Sequence, residues 1–293
     1  MITSVKALIL IALSCGLLLF PMVGNTQALP VADPDFEPIH WAYSSVFGTG
    51  FYKIQDSRSV FVLRVPPRQT LRKSSISDSG EREWGIEIKY PLTIGLHDIE
   101  DLTGIIDNDN FGTASFTPGV ELEIPINKRW YLRPFAHIGW GAELDDGESA
   151  WIYYTGIKSR YTFPAKKYEW SLLNSLYYAG YTPDTGRSDH LAVATLGAEL
   201  RQPLSNAKVL GKPIDLNWSL MFAFMSNELQ FYEPDGGFEP IKNQLDFGLA
   251  MSFRDGPLEL WIFKVHQLGL GYRISSNGQF RAVTFNMRSW FTK

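Results

Sequence analysis

Large apolar residues alternate with polar or small residues along most of the chain. The segment NQLDFGLAMSFR, residues 243–254, has apolar side chains at the odd positions from Leu245 to Phe253, while Asp246 and Arg254 stand among the positions between them. Successive side chains of a β-strand point to opposite faces, so this pattern predicts a strand with one apolar face and one polar face. A half-buried strand of a soluble protein shows the same pattern, so this segment alone does not identify its surroundings.

The same period recurs often enough to predict an all-β chain of about twelve strands. The predicted strands begin near residues 41, 59, 83, 114, 129, 150, 167, 189, 213, 241, 258 and 280. Many of them span about 12 to 15 positions, whereas strands of soluble proteins usually have about 5 or 6. A tilted strand of about 9–11 residues crosses a bilayer, so these lengths favour membrane-spanning strands.

The connections between the predicted strands alternate between short and long. INKR, FPAK and RDGP, which begin at residues 126, 163 and 254, are short. HDIEDLTGIIDNDNFGT, TPDTGRSD and NELQFYEPDGGFEPIK fall at the opposite strand ends and are long and polar. Two connections depart from this rule, since LRKSSISDSGER is long for its end and QDSR is short. Membrane barrels have short periplasmic turns and long outer loops, so the pattern predicts a transmembrane antiparallel up-and-down β-barrel over residues 41–293.

In this barrel the apolar faces, that of Leu245 to Phe253 included, contact lipid, and the polar faces line the lumen. Aromatic residues such as Trp84, Trp140 and Trp151 fall near predicted strand ends, where interfacial girdles are found. A soluble β-sandwich is the alternative, and it would need two sheets that cover all the apolar faces between them.

The N-terminus has the features of a secretory signal. Lys6 precedes an apolar run that ends at Pro21, and small residues around Ala28 suit cleavage, so residues 1–28 are predicted to be a signal peptide. Cys15 lies inside the run, so the mature chain has no cysteine for disulfides, thiol catalysis or metal ligation. Residues 29–40 then form a short segment that could enter the lumen.

The net charge argues against nucleic-acid binding, and the charged side chains on the polar faces predict the character of the lumen. The net charge of −4 over 293 residues gives no reason to expect nucleic acid as a partner. The polar faces carry both signs, and these charges either pair across a closed lumen, which we favour, or line a narrow water-filled pore. The predicted lumen charges are Glu87, Lys89, Glu121, Glu123, Arg133, Lys158, Arg160, Glu169, Glu199, Arg201, Asp215, Asp246, Arg254 and Arg288.

A pair of aspartates and an aspartate–histidine pair are candidates for catalysis in the outer loops. Asp145 and Asp146, together with Asp189 and His190, have the residue types that activate water in the outer-membrane aspartyl proteases called omptins. Ordinary turn and loop chemistry explains the same residues, so we expect no enzyme. A lipid hydrolase would need a serine nucleophile beside a histidine, and neither His137 nor His266 has one nearby in sequence.

His137 and His266 are therefore expected to be lumen or interface residues with hydrogen-bond partners. His266 and Lys264 break the alternation of the strand predicted from residue 258, which a β-bulge would explain. The acidic loop before residue 111 could hold Ca²⁺, although a solvated loop is the simpler interpretation, and no cofactor or resident metal is expected. Its acids are Asp98, Asp101, Asp107 and Asp109.

The end of the chain, FRAVTFNMRSWFTK, places Val283, Phe285, Met287 and Phe291 on one face. This ending looks like the assembly signal of Gram-negative outer-membrane proteins, although Thr292 and one lysine follow the last aromatic residue. With about twelve strands, the chain resembles the translocator barrel of autotransporters, and in particular solitary barrels without a passenger. The resemblance implies a place in the cell outer membrane, contact with its lipid and lipopolysaccharide, and insertion by the barrel assembly machinery. It does not imply a particular activity.

Overall fold

The computed structural model describes residues 46–54, 58–97, 111–144, 147–185, 188–232, 238–260, 263–278 and 280–286. All regular elements within these ranges are β-strands. No helix there is long and apolar enough to cross a membrane. The predicted signal peptide and the segment 29–40 lie outside the described residues.

The strands fall into nineteen segments, which we number in chain order. The first nine are β1 (Gly50–Ile54), β2 (Arg58–Val65), β3 (Arg68–Arg72), β4 (Ser75–Ile76), β5 (Arg82–Glu83), β6 (Gly85–Lys89), β7 (Leu92–His97), β8 (Phe111–Phe116) and β9 (Gly119–Asn127). The others are β10 (Trp130–Glu143), β11 (Ser149–Ala165), β12 (Tyr168–Pro183), β13 (Asp189–Val209), β14 (Lys212–Tyr232), β15 (Phe238–Phe253), β16 (Leu258–Leu260), β17 (Phe263–Val265), β18 (Gln267–Ser275) and β19 (Phe280–Asn286).

Twelve of these segments form a closed antiparallel barrel. Its order is β1, β2, β7, β8, β10, β11, β12, β13, β14, β15, β18 and β19, and β19 pairs with β1 with Gly50 opposite Thr284. The predicted fold class and strand number are confirmed. The strand starts predicted near residues 59, 129, 150, 167, 189, 213 and 280 are each right to within one residue.

Aligned prolines explain why some wall strands are divided. Pro67 separates β2 from β3, Pro91 separates β6 from β7, and Pro118 separates β8 from β9. Proline has no N–H to donate, but its carbonyl still accepts. The N–H groups of Tyr90, Thr117 and Ile138 donate to the carbonyls of Pro67, Pro91 and Pro118 at 2.9, 3.1 and 3.1 Å. The wall therefore continues through this proline line into β3, β6 and β9.

The strand start predicted near residue 41 lies outside the described residues, within which the first strand begins at Gly50. Val46 and Phe47, ahead of Gly50, form a turn that packs against residues inside the barrel. The predicted start of the eleventh strand is wrong. The eleventh begins at Gln267, not near residue 258. β16 and β17 pair with each other, with Leu258 opposite Val265, so they are unavailable to β15. Lys264 and His266 thus precede the wall strand, and no bulge within that strand is needed to explain them.

The two ends of the barrel differ as the connection lengths predict. At the turn end, two-residue turns join β9 to β10, β11 to β12 and β13 to β14. At Leu210 and Gly211 both φ angles are positive, 49° and 80°, as a tight hairpin turn needs. The opposite end, which we call the loop end, has the longer connections that follow β7, β10, β12 and β14. The structure also has the two predicted exceptions. The connection over residues 73–84 is long for the turn end and includes β4 and β5, and the connection over residues 55–57 is short for the loop end.

Candidate functional site

The outer face of the barrel carries exposed apolar side chains on eleven of its twelve strands. Ile138 is 60% exposed, Leu196 64% and Phe247 57%. One exposed side chain from each of these strands is Leu63, Leu92, Phe116, Ile138, Ile157, Leu176, Leu196, Leu220, Leu249, Leu270 and Val283. We call this surface the apolar belt.

One of the apolar residues from Leu245 to Phe253, which were predicted to face lipid, is not on the belt. Phe253 was predicted to contact lipid, but it is only 7% exposed and forms a small cluster with Ile214. Leu204 and Val265 pack over this cluster. The register between β13 and β14 shifts between Pro203 and Lys208, so extra chain is present there to cover Phe253.

Tryptophans lie on the belt at two levels. Trp140 and Trp151 are opposite each other on β10 and β11, near the loop end. Trp170 and Trp218 both lie opposite Leu200, nearer the turn end. All four indoles are at least 37% exposed. Two aromatic levels that border an apolar surface are typical of interfacial anchoring.

Ion pairs between wall side chains cross the turn-end half of the lumen. Glu121 is buried, and its carboxylate accepts from Lys89 at 2.7 Å, from Lys158 at 2.9 Å and from Arg133 at 3.4 Å. Arg133 also donates to Glu123. A buried carboxylate is tolerated only when it is paired and hydrogen-bonded, and Glu121 has three cationic partners.

A second group of ion pairs lies along β11 to β15. Arg160 donates to Glu199 at 2.7 Å. Asp215, 1% exposed, accepts from Arg201 and from Arg254, each at 2.5 Å. Farther along the lumen, Arg273 donates to Asp246 at 2.8 Å, and Glu169 lies 3.7 Å from Arg201. The predicted pairing of lumen charges is confirmed for these residues, while Arg288 lies outside the described residues.

The loop-end half of the lumen is apolar. Buried side chains from strands on different sides of the barrel pack together there, with Val46 and Phe47 against them. The Phe47 ring lies 5.1 Å from that of Tyr52 and 6.2 Å from that of Phe280. The other buried members are Val62, Ala150, Ile152, Tyr181, Leu191, Val193, Ile241 and Ala282. A cavity of only about 50 Å³ remains between this layer and the Asp246–Arg273 pair.

This apolar layer was not predicted, although the sequence contains a pattern that indicates it. In β13, Leu191 and Val193 share the lumen face with Glu199, while Ala192, Ala194 and Leu196 lie on the belt face. Both faces of the strand are therefore apolar near the loop end. A strand with two apolar faces indicates burial on both sides.

His137 lies where the two halves meet. Its Nδ1 is 3.0 Å from the Thr117 carbonyl, and its ring stacks on Tyr154 at 4.4 Å. Thr117 stands opposite Pro91, which has no N–H to donate to that carbonyl. The imidazole therefore supplies the hydrogen bond that Pro91 lacks, and Nδ1 is its donor because a carbonyl can only accept. The prediction of a lumen histidine with a hydrogen-bond partner is confirmed here.

Of the catalytic candidates the structure describes Asp189 and His190, and it places them on opposite faces of β13. Leu191 faces the lumen, so Asp189 has the lumen side of β13 and His190 the belt side, where its ring stacks on the exposed Tyr178 at 5.5 Å. The Asp189 carboxylate accepts from the His190 backbone N–H at 2.7 Å. Asp145 and Asp146 lie outside the described residues, as do the acids of the predicted Ca²⁺ loop. The described chain holds no cluster of three or more metal-ligating side chains.

A cavity of about 350 Å³ opens in the turn-end half. It lies among β3, β6, β9 and β10, and His266 reaches it from the connection that precedes β18. Its charged lining residues are Arg68, Arg72, Lys73, Arg133, Glu87, Glu121 and Glu123. Since the apolar layer fills the loop-end half, this cavity is a pocket of the turn end.

Three solved structures that are similar to this chain are autotransporter domains. The β domain of the Bordetella autotransporter Brka matches with a TM-score of 0.52 and 11% identity, over 80% of this chain and 92% of that one. The fold is that of an autotransporter translocator barrel. The translocator domain of NalP from Neisseria meningitidis matches with a TM-score of 0.51 and 11% identity, over 80% and 82% of the two chains.

A third translocator barrel is similar to the same degree. The transport unit of the autotransporter AIDA-I from Escherichia coli has a TM-score of 0.51 and 12% identity, over 80% of this chain and 85% of that one. No protein-family model matches the chain, and no curated protein matches its sequence. At these identities the translocator barrels share a fold with this chain, and its function has to be argued from its own residues.

Proposed function

We propose that this chain is an integral outer-membrane β-barrel with a closed lumen that acts as a non-enzymatic scaffold. The observation that carries the proposal is the apolar belt, which runs around the barrel from Leu63 on β2 to Val283 on β19. Soluble monomers rarely expose a contiguous apolar surface of more than a few hundred Å². A closed barrel pairs its backbone groups between strands, which is the requirement for crossing lipid without helices.

The closed lumen rests on how its two halves are filled. Ion pairs around Glu121 and Asp215 occupy the turn-end half, and the layer around Ile152 and Phe47 occupies the other. A barrel of this strand number has a modest bore that side chains can fill. We therefore favour a scaffold over a narrow pore.

The non-enzymatic proposal is supported by the positions of Asp189 and His190. Neighbouring residues of a strand point to opposite faces, so these two side chains are not placed to act on one substrate. Catalysis by a carboxylate and a histidine requires both within hydrogen-bond reach of the reacting group.

The partners we propose follow from the membrane location. The apolar belt would contact outer-membrane lipid, and the polar loop end would meet lipopolysaccharide. The barrel assembly machinery would insert the chain. The absence of a passenger stays a prediction from the sequence.

Membrane fractionation tests the location. The protein should be recovered with the outer membrane, should require detergent for extraction, and should run at a different position in gels before and after boiling. Recovery as a soluble monomer without detergent would refute the proposal.

Planar-bilayer recording tests the closed lumen. The intact protein should conduct poorly, and deletion of residues 29–40 should raise its conductance if that segment enters the lumen. High conductance of the intact protein would favour the narrow pore instead.

A further inference from the structure

Positive and negative side chains are balanced on one side of the lumen. From Arg160 on β11 to Arg273 on β18, each described arginine of the lumen has a carboxylate partner. Arg160 pairs with Glu199, and Arg201 and Arg254 share Asp215 while Arg201 also lies near Glu169. Arg273 pairs with Asp246. This side therefore needs no further ion for neutrality.

The other side, from β2 to β11, has an excess of positive charge. Among the described residues, seven cationic side chains lie in or beside this part of the lumen, and three carboxylates face them. The cations are Arg64, Arg68, Arg72, Lys73, Lys89, Arg133 and Lys158. The carboxylates are Glu87, Glu121 and Glu123. Charges of one sign in a confined space attract ions of the other sign.

Three of these cations have no carboxylate within ion-pair distance among the described residues. Arg64 is half-buried, donates to the Tyr154 hydroxyl at 2.8 Å, and has a buried Nε without a hydrogen-bond partner. Arg72 uses its Nε to donate to the Trp84 carbonyl at 2.6 Å, which leaves both terminal nitrogens of its guanidinium available. Lys73 follows Arg72 directly.

The carboxylates, in contrast, are mostly engaged. Glu121 accepts from three cations, and Glu123 accepts from Arg133 and from Ser74. Glu87 accepts from Arg68 and Thr70 through Oε1, while its buried Oε2 has no hydrogen-bond partner. With that one exception, the unused hydrogen-bonding capacity of these charged groups consists of cationic donors.

The turn-end cavity gives a ligand access to these donors. Arg72 and Lys73 line it and are exposed, which places them at its mouth, while Glu121 and Arg133 are buried deeper in its wall. Its volume of about 350 Å³ is within the range of small-molecule sites. A guanidinium can bind a carboxylate or a phosphate through two parallel hydrogen bonds, and a neighbouring ammonium adds a third donor.

We propose that the turn-end cavity binds a small anionic solute through a carboxylate or phosphate group held by Arg72 and Lys73. The remaining excess positive charge, at Arg64 and among the three cations around Glu121, adds a favourable potential for the anion. This site depends on the closed barrel but not on its placement in a membrane, so it can fail while the proposed function holds, and the reverse.

Isothermal titration calorimetry of the full chain in detergent at low ionic strength tests the site. Inorganic pyrophosphate and succinate serve as the phosphate and carboxylate probes. We expect at least one probe to bind, and we expect the double variant Arg72→Gln, Lys73→Gln to weaken that binding at least tenfold, because a charged donor pair is lost. Raising the salt should weaken it as well.

Two variants of the same end of the barrel are matched controls. Arg82→Gln and Lys128→Gln also remove exposed positive charges, but neither residue lines the cavity. They should leave the affinity within twofold of the unchanged protein. Equal weakening by the controls would show a general charge effect and would overturn the site, as would no binding of either probe.

A further variant identifies the source of the anion. Residues 29–40 contain Asp33, Asp35 and Glu37, whose carboxylates have the same chemistry as a bound solute. If the probes bind only after Asp33→Asn, Asp35→Asn and Glu37→Gln are combined, the chain's own carboxylates occupy the cavity, and the proposal of a free solute is overturned. Equal binding with and without these changes supports the free solute.

Discussion

The two halves of the lumen are filled in different ways. In the turn-end half, charged side chains of the wall bond to one another, as they do around Glu121, whereas the loop-end half holds apolar side chains that include Phe47 from the turn before β1. A charge removed from water needs a partner at a fixed position, while an apolar layer needs mainly the right volume. The barrel should therefore tolerate the loss of a single side chain less well in the turn-end half than in the loop-end half.

The strongest test removes the carboxylate at the centre of the turn-end half. Glu121→Ala leaves Lys89, Lys158 and Arg133 facing one another without their shared partner. We expect the free energy of unfolding to fall by about 3–5 kcal/mol, as when one member of a buried ion pair is removed. Urea unfolding of the barrel in lipid vesicles, followed by its gel mobility, measures this.

Glu169→Ala is the matched control for that variant. Its carboxylate lies 3.7 Å from Arg201, and the two side chains are 42% and 36% exposed, so solvent screens the pair. The loss should stay below about 1 kcal/mol. If both variants unfold at the same urea concentration, the ion pairs do not hold the turn-end half together.

The next test concerns the wall that encloses both halves. Leu249→Arg puts a charge on the apolar belt and should cost about 2–4 kcal/mol near the middle of the membrane. Leu210→Arg is the control, because Leu210 is 73% exposed but sits in a turn at the barrel end. Comparable losses for both would mean that the belt does not face lipid. Gly248 is unsuitable as a lumen control, since a Cβ there would lie 2.2 Å from Ser219 Oγ.

A smaller effect is expected at the boundary between the halves. His137→Ala removes the donor that serves the Thr117 carbonyl opposite Pro91. An unsatisfied buried carbonyl costs about 1–3 kcal/mol, and the same urea measurement detects it. His137→Gln retains a side-chain N–H and should recover part of the loss. No difference between the two variants would argue against this hydrogen-bonding role.

The smallest effect is expected from Phe47→Ala in the loop-end half. The wall residues of the layer, Ile152 and Tyr181 among them, remain in place, so conductance in planar bilayers should rise only slightly. Val283→Ala on the belt is the control and should leave conductance unchanged. A large rise would show that the turn before β1, rather than the wall, closes this half.

Much of the barrel follows from local pattern. The period of two gives the faces of β9 to β15, and the connection lengths give the two ends, because both depend only on neighbouring residues. The strand starts at Gly50 and Gln267 were not predicted. Val46 and Phe47 leave the wall for tertiary contacts, and β16 pairs with β17 rather than with its neighbour in the barrel. Alternation within one segment does not report which strand it will pair with.

The arrangement of the lumen charges and the role of His137 depend on how the strands pair, even more than the strand starts do. The sequence shows a mixture of lumen charges, but their separation into a balanced side and a positive side appears only when the strands are placed in order. The role of His137 likewise requires Thr117 to stand opposite Pro91, which lies 26 positions before Thr117 and 46 before His137. Such relations between distant residues are fixed by the closed barrel and not by local propensity.

The proline line has a consequence for the chain before the barrel closes. An unclosed barrel exposes strand edges whose amide donors can recruit a second chain and begin aggregation. Pro67, Pro91 and Pro118 interrupt those donors at one level in three neighbouring strands, so a ladder formed with another molecule would be broken partway along each of them. The same prolines that divide the finished wall should therefore limit intermolecular pairing along these three strands before the barrel closes.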